Sequence, residues 1–181
     1  LDIFVYDRDT DTIERVSIDS VGGDANGHSQ NASISPDGGY VAFSSDATDL
    51  VSGDTNISRD IFVRDLDTNT TEIVSVDNLG DEGNAASDLP SISTDGHVTF
   101  ESLATDLVVN DNNGNLDIFV YNNDTNTTER VSVNSAGQES DDDISSSTGP
   151  VISPNGRYVV FPSYATNLVS LDTNGIQDVF F

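Results

Sequence analysis

Three short acidic loops share one arrangement of oxygen-bearing side chains. They read DTNISRD at residues 54–60, DNNGNLD at 111–117 and DTNGIQD at 172–178. Each loop has Asp first, Asn third and Asp seventh, which gives nine candidate ligands: Asp54, Asn56, Asp60, Asp111, Asn113, Asp117, Asp172, Asn174 and Asp178. Calcium prefers about six to eight oxygen ligands, and carboxylates, amides and backbone carbonyls supply them. The pattern predicts calcium sites, although the distal Glu of an EF-hand is absent.

A simpler explanation is that Asp and Asn close turns that lead into the next strand. Paired acids in a chain of net charge −26 repel each other, however, and a bound cation would offset that repulsion. We therefore expect calcium, with turn formation as the alternative. Asp2 holds the closing position of a fourth such loop, so we expect it to join the ligands. Because the first half of that loop is missing, we also expect truncation or completion by a neighbouring subunit.

The loops belong to a repeat of about sixty residues. DIFVYD, DIFVRD, DIFVYN and DVFF begin at residues 2, 60, 117 and 178, and matching blocks separate them in constant order. We predict one domain with repeats at 2–59, 60–116 and 117–177 and the start of a further repeat at 178–181. The third repeat is longer because its segment SAGQESDDDISSSTG carries about three extra residues, an insertion that we place in a loop.

Each repeat is predicted to form four short antiparallel strands. The first two are joined at a DG or NG dipeptide, which is typical of a two-residue hairpin turn. YVAF and DIFV are apolar at consecutive positions, so both of their faces should be buried. ERVSID alternates, which predicts Val16 and Ile18 inward and Arg15 and Ser17 in solvent. The pattern predicts an all-β fold of β-propeller blades, with a β-solenoid as the alternative that fits less well.

The segments SISPDGGYVAF and DIFVRDLDTNT resemble the TolB-like, or WD40-like, β-propeller repeat. ATDLVSGDTN resembles a form common in secreted and surface proteins of bacteria. Strands counted in this register number two, four, four and three, or about three blades, whereas propellers typically need about four to eight. The resemblance therefore implies part of a larger ring or assembly, with a self-sufficient small propeller as the alternative. It is specific for fold and weak for function.

Composition excludes several classes of partner. The chain has six basic residues, all Arg, against 32 acids, so we expect neither nucleic-acid nor anionic-membrane binding. No Cys is present, which excludes disulfides and thiolate zinc sites. No apolar segment approaches the roughly 18 residues of a membrane span.

No catalytic set is evident, so we predict that the chain is not an enzyme. His28 and His97 are the only general bases tuned near neutral pH, and they occupy non-equivalent positions where we expect no zinc. Some related propellers are polysaccharide lyases with clustered His, Arg and Gln, which are too few here. A polysaccharide-active domain is therefore the least favoured reading.

We expect a non-catalytic, calcium-stabilised structural module, extracellular or on the bacterial cell surface, with the periplasm as the alternative location. It would pack with itself or other surface proteins into an assembly or filament. The runner-up is a carbohydrate- or protein-binding module, with Tyr6, Tyr121 and Tyr164 as contacts, although core packing is the commoner use of tyrosine.

Two further features are surface candidates. Sequons make glycosylation possible at Asn31, Asn69, Asn123 and Asn126; a fifth, Asn56, would be blocked by calcium. Their number is close to chance. The inserted SDDDIS at 140–145 is expected to be solvated, with a further ion site as the alternative.

Overall fold

The computed structural model describes residues 1–144 and 148–181, so the end of the SDDDIS segment and the two residues after it, 145–147, lie outside the described residues. The described chain is all-β and contains no helix long and apolar enough to cross a membrane. Its thirteen strands are β1 (Phe4–Asp7), β2 (Thr12–Arg15), β3 (Ser29–Ile34), β4 (Tyr40–Ser45), β5 (Asp60–Asp65), β6 (Thr70–Ile73), β7 (Ser87–Ile92), β8 (Val98–Ser102), β9 (Asp117–Asn122), β10 (Thr127–Arg130), β11 (Val151–Ile152), β12 (Val159–Ser163) and β13 (Asp178–Phe180).

The strands form four antiparallel sheets, each a meander of consecutive strands. We call them blade 1 (β1–β2), blade 2 (β3–β6), blade 3 (β7–β10) and blade 4 (β11–β13). They contain two, four, four and three strands, which confirms the predicted fold class. Across the described residues the sheets stay open and do not close into a ring.

The two central strands of each full blade are buried on both faces. In blade 2, Val41 and Phe43 join a core cluster with Val5 of blade 1, whereas Ala42 and Val63 join one with blade 3. Alternate residues of a strand point to opposite faces, so consecutive apolar residues serve both neighbouring blades. This confirms the prediction made from YVAF and DIFV.

The prediction that Ser17 faces solvent is wrong, because Ser17 is fully buried. Strand β2 ends at Arg15, so the alternation of the strand does not extend to Ser17. The Ser17 hydroxyl accepts from the Ile3 N–H at 2.9 Å and donates to Asp2 at 3.3 Å. The buried serine therefore joins the start of β1 to the segment that follows β2.

The hairpin after β3 is wider than the two residues predicted from its DG dipeptide. The Ser35 N–H donates to the Tyr40 carbonyl, and the Gly38 N–H donates to the Ser35 carbonyl. Four residues therefore lie between Ser35 and Tyr40. Gly38 has a φ of +79°, a conformation that side chains disfavour, so glycine serves the turn as expected although the turn type differs.

We expect Phe62→Ala to lower the free energy of unfolding by about 3 to 5 kcal/mol, because it removes a fully buried ring from β5 and leaves a cavity. The control Leu79→Ala lies in an exposed turn and should change it by less than about 0.5 kcal/mol. Urea denaturation followed by circular dichroism measures both. Equal effects of the two substitutions would contradict the packing of blade 2.

Candidate metal centre

The loop at 54–60 ends on a carboxylate that is buried at the start of β5. Asp60 is 0 % exposed, and its Oδ1 accepts from the Ser75 hydroxyl at 2.7 Å. The same Ser75 oxygen accepts from the Ile61 N–H at 3.0 Å. By contrast, Asp60 Oδ2 and Asp54 Oδ1 are buried atoms with no hydrogen-bond partner. The loop therefore presents two carboxylate oxygens whose polar requirements are unmet.

A distant glutamate anchors the backbone of this loop. The Glu82 carboxylate accepts from the Thr55 N–H at 2.7 Å and from the Asn56 N–H at 2.9 Å. The Asn56 Oδ1 accepts from the Ser58 N–H at 2.6 Å, which closes a local turn. The amide oxygen thus serves the turn, as the alternative interpretation expected, and its role as a metal ligand stays a prediction.

Both aspartates of the loop are unfavourable as anions in this environment. Burial raises the pKa of Asp60 to about 6, although the Ser75 hydroxyl and the nearby Asn56 amide oppose the rise. The Asn56 amide itself donates to the Gly83 carbonyl at 3.2 Å and leaves Asp60 Oδ2 without a partner. Burial, followed by the charges of Asp60, Glu82 and Asp49, raises the pKa of Asp54 to about 6. A nearby positive charge would favour the ionised forms.

The equivalent loop of blade 3 contains such a charge. Arg130 Nη1 lies 3.1 Å from Asp111 Oδ1 and 3.3 Å from Asp117 Oδ2, and Nη2 lies 2.8 Å from Glu139 Oε1. Ser132 donates to Asp117 as Ser75 donates to Asp60. Burial raises the pKa of Asp111, and the guanidinium opposes that rise.

Blade 2 has an apolar residue at the position of this arginine. Ile73 lies opposite Phe62 in the β5–β6 pairing, just as Arg130 lies opposite Phe119 in the β9–β10 pairing. Both loops therefore have a serine that donates to the closing aspartate, whereas the guanidinium that lies beside the carboxylates in blade 3 is replaced by the apolar Ile73 in blade 2.

The other two loops are less enclosed. Asp178 Oδ2 accepts from the Asn174 amide at 2.8 Å, and in the part of the chain that the structure describes β13 is the last strand of its sheet, with no fourth strand over the loop of Asp172. In blade 3 the Asn113 amide makes the same contact with Asp117 at 3.1 Å. Asp2 is exposed, and the arginine nearest its loop in sequence, Arg15, pairs with Asp24.

Few carboxylates are available to bind a metal ion at any of these loops. Within residues 1–144 and 148–181, no group of three or more His, Cys, Asp or Glu side chains is placed to hold a metal ion. A cation at the 54–60 loop would rely on Asp54 and Asp60, with backbone carbonyls and water completing its shell.

Sequence reasoning missed the residues that surround the loops: Ser75, Glu82, Ser132, Arg130 and Glu139. The glutamates lie more than twenty residues from the N–H groups they accept, so spacing within the loop does not indicate them. The serines and Arg130 carried a signal, because aligned EIVSVD and ERVSVN keep Ser and exchange Ile for Arg.

The four asparagines predicted as possible glycosylation sites differ in their exposure to solvent. Asn31, Asn69 and Asn126 are exposed, although the Asn31 amide donates to Asp88 at 2.7 Å. Asn123 is half-buried and donates to the Asp95 carbonyl. Glycosylation stays a prediction at all four.

The aromatic and acidic candidates do not share one surface. Tyr121 is buried and donates to Asn126 at 2.9 Å, whereas Tyr6 and Tyr164 are exposed on different blades. Asp141 and Asp143 accept from backbone N–H groups, so these two acids also order the chain around them.

Comparison with solved structures places this arrangement among the propellers. TolB from Acinetobacter baumannii matches at a TM-score of 0.51 and 20 % identity, over 91 % of this chain and 32 % of TolB. An oligogalacturonate lyase, in complex with manganese, matches at 0.51 and 16 % identity, over 97 % of this chain and 39 % of the lyase. The chain thus has a TolB-like β-propeller fold and spans well under half of either protein.

Neither a family model nor a curated protein matches the sequence.

A further buried carboxyl lies outside the loops, on β8. Glu101 is buried, its Oε2 has no hydrogen-bond partner, and the equivalent residue of blade 2 is Ser44. Burial, with a smaller effect from the Asp88 charge, raises the pKa of Glu101 from 4.5 to about 7. The folded chain therefore holds this proton more tightly than the unfolded chain does.

We expect Arg130→Ala to lower the free energy of unfolding in EDTA by about 3 kcal/mol, because it leaves Asp111 and Asp117 buried without a counter-charge. The control Arg157→Ala removes an exposed guanidinium that lies 5.0 Å from the Tyr158 ring centroid, and its effect should be smaller. Chemical denaturation measures both. A negligible effect of Arg130→Ala would show that the ion pairs do not hold the loop.

We expect Glu101 to make the protein less stable as pH rises. Because its pKa is raised on folding, its destabilising contribution grows between pH 4.5 and about 7 and reaches roughly 3 kcal/mol above that range. Glu101→Gln should flatten this part of the stability profile, whereas the exposed control Glu129→Gln should leave it unchanged. Denaturation in EDTA across this pH range tests the effect, and equal profiles for wild type and Glu101→Gln would refute it.

Proposed function

We propose that the chain is a non-catalytic structural propeller module, extracellular or on a cell surface, that is stabilised by calcium and packs end to end with a second copy. The observation that carries this proposal is that apolar residues exposed on the two end blades occupy positions that are buried between the inner blades.

The outer face of blade 1 has the composition of an interior blade face. Phe4 is 56 % exposed, whereas the equivalent Phe62 and Phe119 are 0 % exposed. Tyr6, also exposed, is equivalent to the buried Tyr121. Phe62 of blade 2, and Phe119 and Tyr121 of blade 3, pack against the preceding blade, whereas blade 2 has Arg64 at the tyrosine position.

Blade 4 has the complementary face at the other end of the chain. Val179 is 69 % exposed, whereas the equivalent Ile61 and Ile118 are 0 % exposed. Val160 is exposed as well, and its counterpart Ala42 is buried against the following blade. The two end faces thus correspond to the two sides of one blade-to-blade interface.

A second copy can fill either face because every copy carries both. Burying such apolar surface is favourable by roughly 25 cal/mol per Å². The contact would join two different faces of neighbouring copies. Adding further copies gives a closed ring if the rotation between neighbours brings the last copy back to the first, and a filament if it does not. This is the basis for proposing an assembly.

Calcium stabilisation and the absence of catalysis are supported by the polar groups. Asp54 and Asp60 present buried oxygens without partners, and sites on extracellular modules can be weak because calcium is abundant there. The two histidines have structural contacts: His97 Nδ1 accepts from the Asn123 N–H, and His28 Nδ1 contacts the amino group of Leu1.

Sedimentation velocity with face-blocking variants tests the assembly. We expect the wild type to form species larger than a dimer, whereas Phe4→Asp and Val179→Asp each remain monomeric because one face is charged. An equimolar mixture of the two variants should give dimers only, since each supplies the face that the other lacks. The control Leu79→Asp changes an exposed turn residue and should assemble as the wild type does.

A monomeric wild type at tens of micromolar, or assembly that neither variant reduces, would contradict the proposal. The exposed faces would then belong to contacts with blades of another chain or of a longer protein.

A further inference from the structure

The loop of blade 2 carries an unmatched pair of buried oxygens where blade 3 has an ion-paired group. Asp54 Oδ1 and Asp60 Oδ2 lack partners. Their equivalents in blade 3, Asp111 Oδ1 and Asp117 Oδ2, lie 3.1 and 3.3 Å from the single nitrogen Arg130 Nη1. Asp111 Oδ1 makes no hydrogen bond, so its contact with the guanidinium is an ion pair alone, and Asp117 Oδ2 also accepts from Asn113. One positive group therefore bridges, in blade 3, the two atoms that are orphaned in blade 2.

We propose that the loop at 54–60 binds one calcium ion in the place of this guanidinium nitrogen, and that Arg130 makes the loop at 111–117 independent of calcium. This inference rests on the proposed calcium stabilisation and narrows it from several loops to one. The residue that decides between ion and guanidinium is Ile73 in blade 2 and Arg130 in blade 3.

The donor atoms favour calcium over other ligands. Both orphaned atoms are carboxylate oxygens, Asp60 is fully buried, and the chain offers no thiolate. Calcium accepts oxygen ligands in flexible geometry, whereas magnesium demands a nearly ideal octahedron and gives up its water reluctantly. A site with two carboxylates and backbone carbonyls therefore suits calcium better.

The loop is already shaped for an ion, because other groups hold its backbone. Glu82 accepts from the Thr55 and Asn56 N–H groups, and Ser75 fixes the other oxygen of Asp60. Calcium would therefore bind a loop that is ordered in advance and would lose little affinity to ordering it.

The remaining loops do not present the same pair of atoms. Asp178 is only half-buried, and no fourth strand covers that loop within the described chain. Asp2 is exposed. We therefore expect one calcium ion for each chain.

Isothermal titration with calcium chloride tests the inference through a reciprocal exchange of residues. Wild type should bind one equivalent of calcium. Ile73→Arg should bind no calcium, because the new guanidinium takes the place of the ion beside Asp54 and Asp60. Arg130→Ile should bind two equivalents, because it removes the guanidinium from the loop at 111–117. The control Val21→Arg adds the same charge at an exposed position in the turn after β2 and should still bind one equivalent of calcium. Magnesium chloride, titrated in parallel, should bind more weakly.

An Ile73→Arg variant that binds calcium as the wild type does would overturn the inference. If Ile73→Arg does not fold, Arg130→Ile decides: a second equivalent supports the inference, and no gain in bound calcium, or no folding in calcium, overturns it. A wild type that binds no calcium would refute calcium stabilisation as well. Sedimentation of the same samples reports separately on end-to-end packing.

Discussion

The structure depends on burying one aspartate at the start of the third strand of each four-stranded blade. Asp60 and Asp117 are both fully buried, and in each case a serine beyond the fourth strand donates to one carboxylate oxygen. That serine also accepts from the next backbone N–H, so the carboxylate joins the third strand to the segment after the fourth. A buried carboxylate is costly unless a counter-charge accompanies it. Arg130 supplies that counter-charge in blade 3, whereas Ile73 stands at its position in blade 2.

Packing of the blades imposes a second and independent constraint. Because the central strands are apolar on both faces, no inner blade can be stable without neighbours on both sides. The aromatic pair Phe43 and Phe62, with ring centroids 6.0 Å apart, recurs as Phe100 and Phe119 at 5.9 Å, so each blade offers the next a similar surface. Hydrogen bonds between serine and aspartate at the start of the third strand, and apolar contacts between sheets, thus stabilise different parts of the same blade.

The fold was predictable because the same strand and turn motifs occur in each of the three repeats. Strand number, strand order and two-sided burial followed from recurrence of DIFV and YVAF. The loop chemistry was only partly predictable. Asp54 and Asp60 were identified from spacing, but Glu82 contacts the loop from a distant segment, and no local pattern shows that. Ser17 was misplaced because the chain leaves the strand at Arg15, and a period of two no longer applies.

Anomalous diffraction from crystals grown in calcium would test most directly whether a guanidinium and an ion are interchangeable counter-charges here. If calcium takes the place of the guanidinium in blade 2, the anomalous difference map should show a peak beside Asp54 Oδ1 and Asp60 Oδ2. It should show no peak beside Asp111 and Asp117, where Arg130 lies. Peaks at both loops, or no peak at the loop of Asp54, would contradict it.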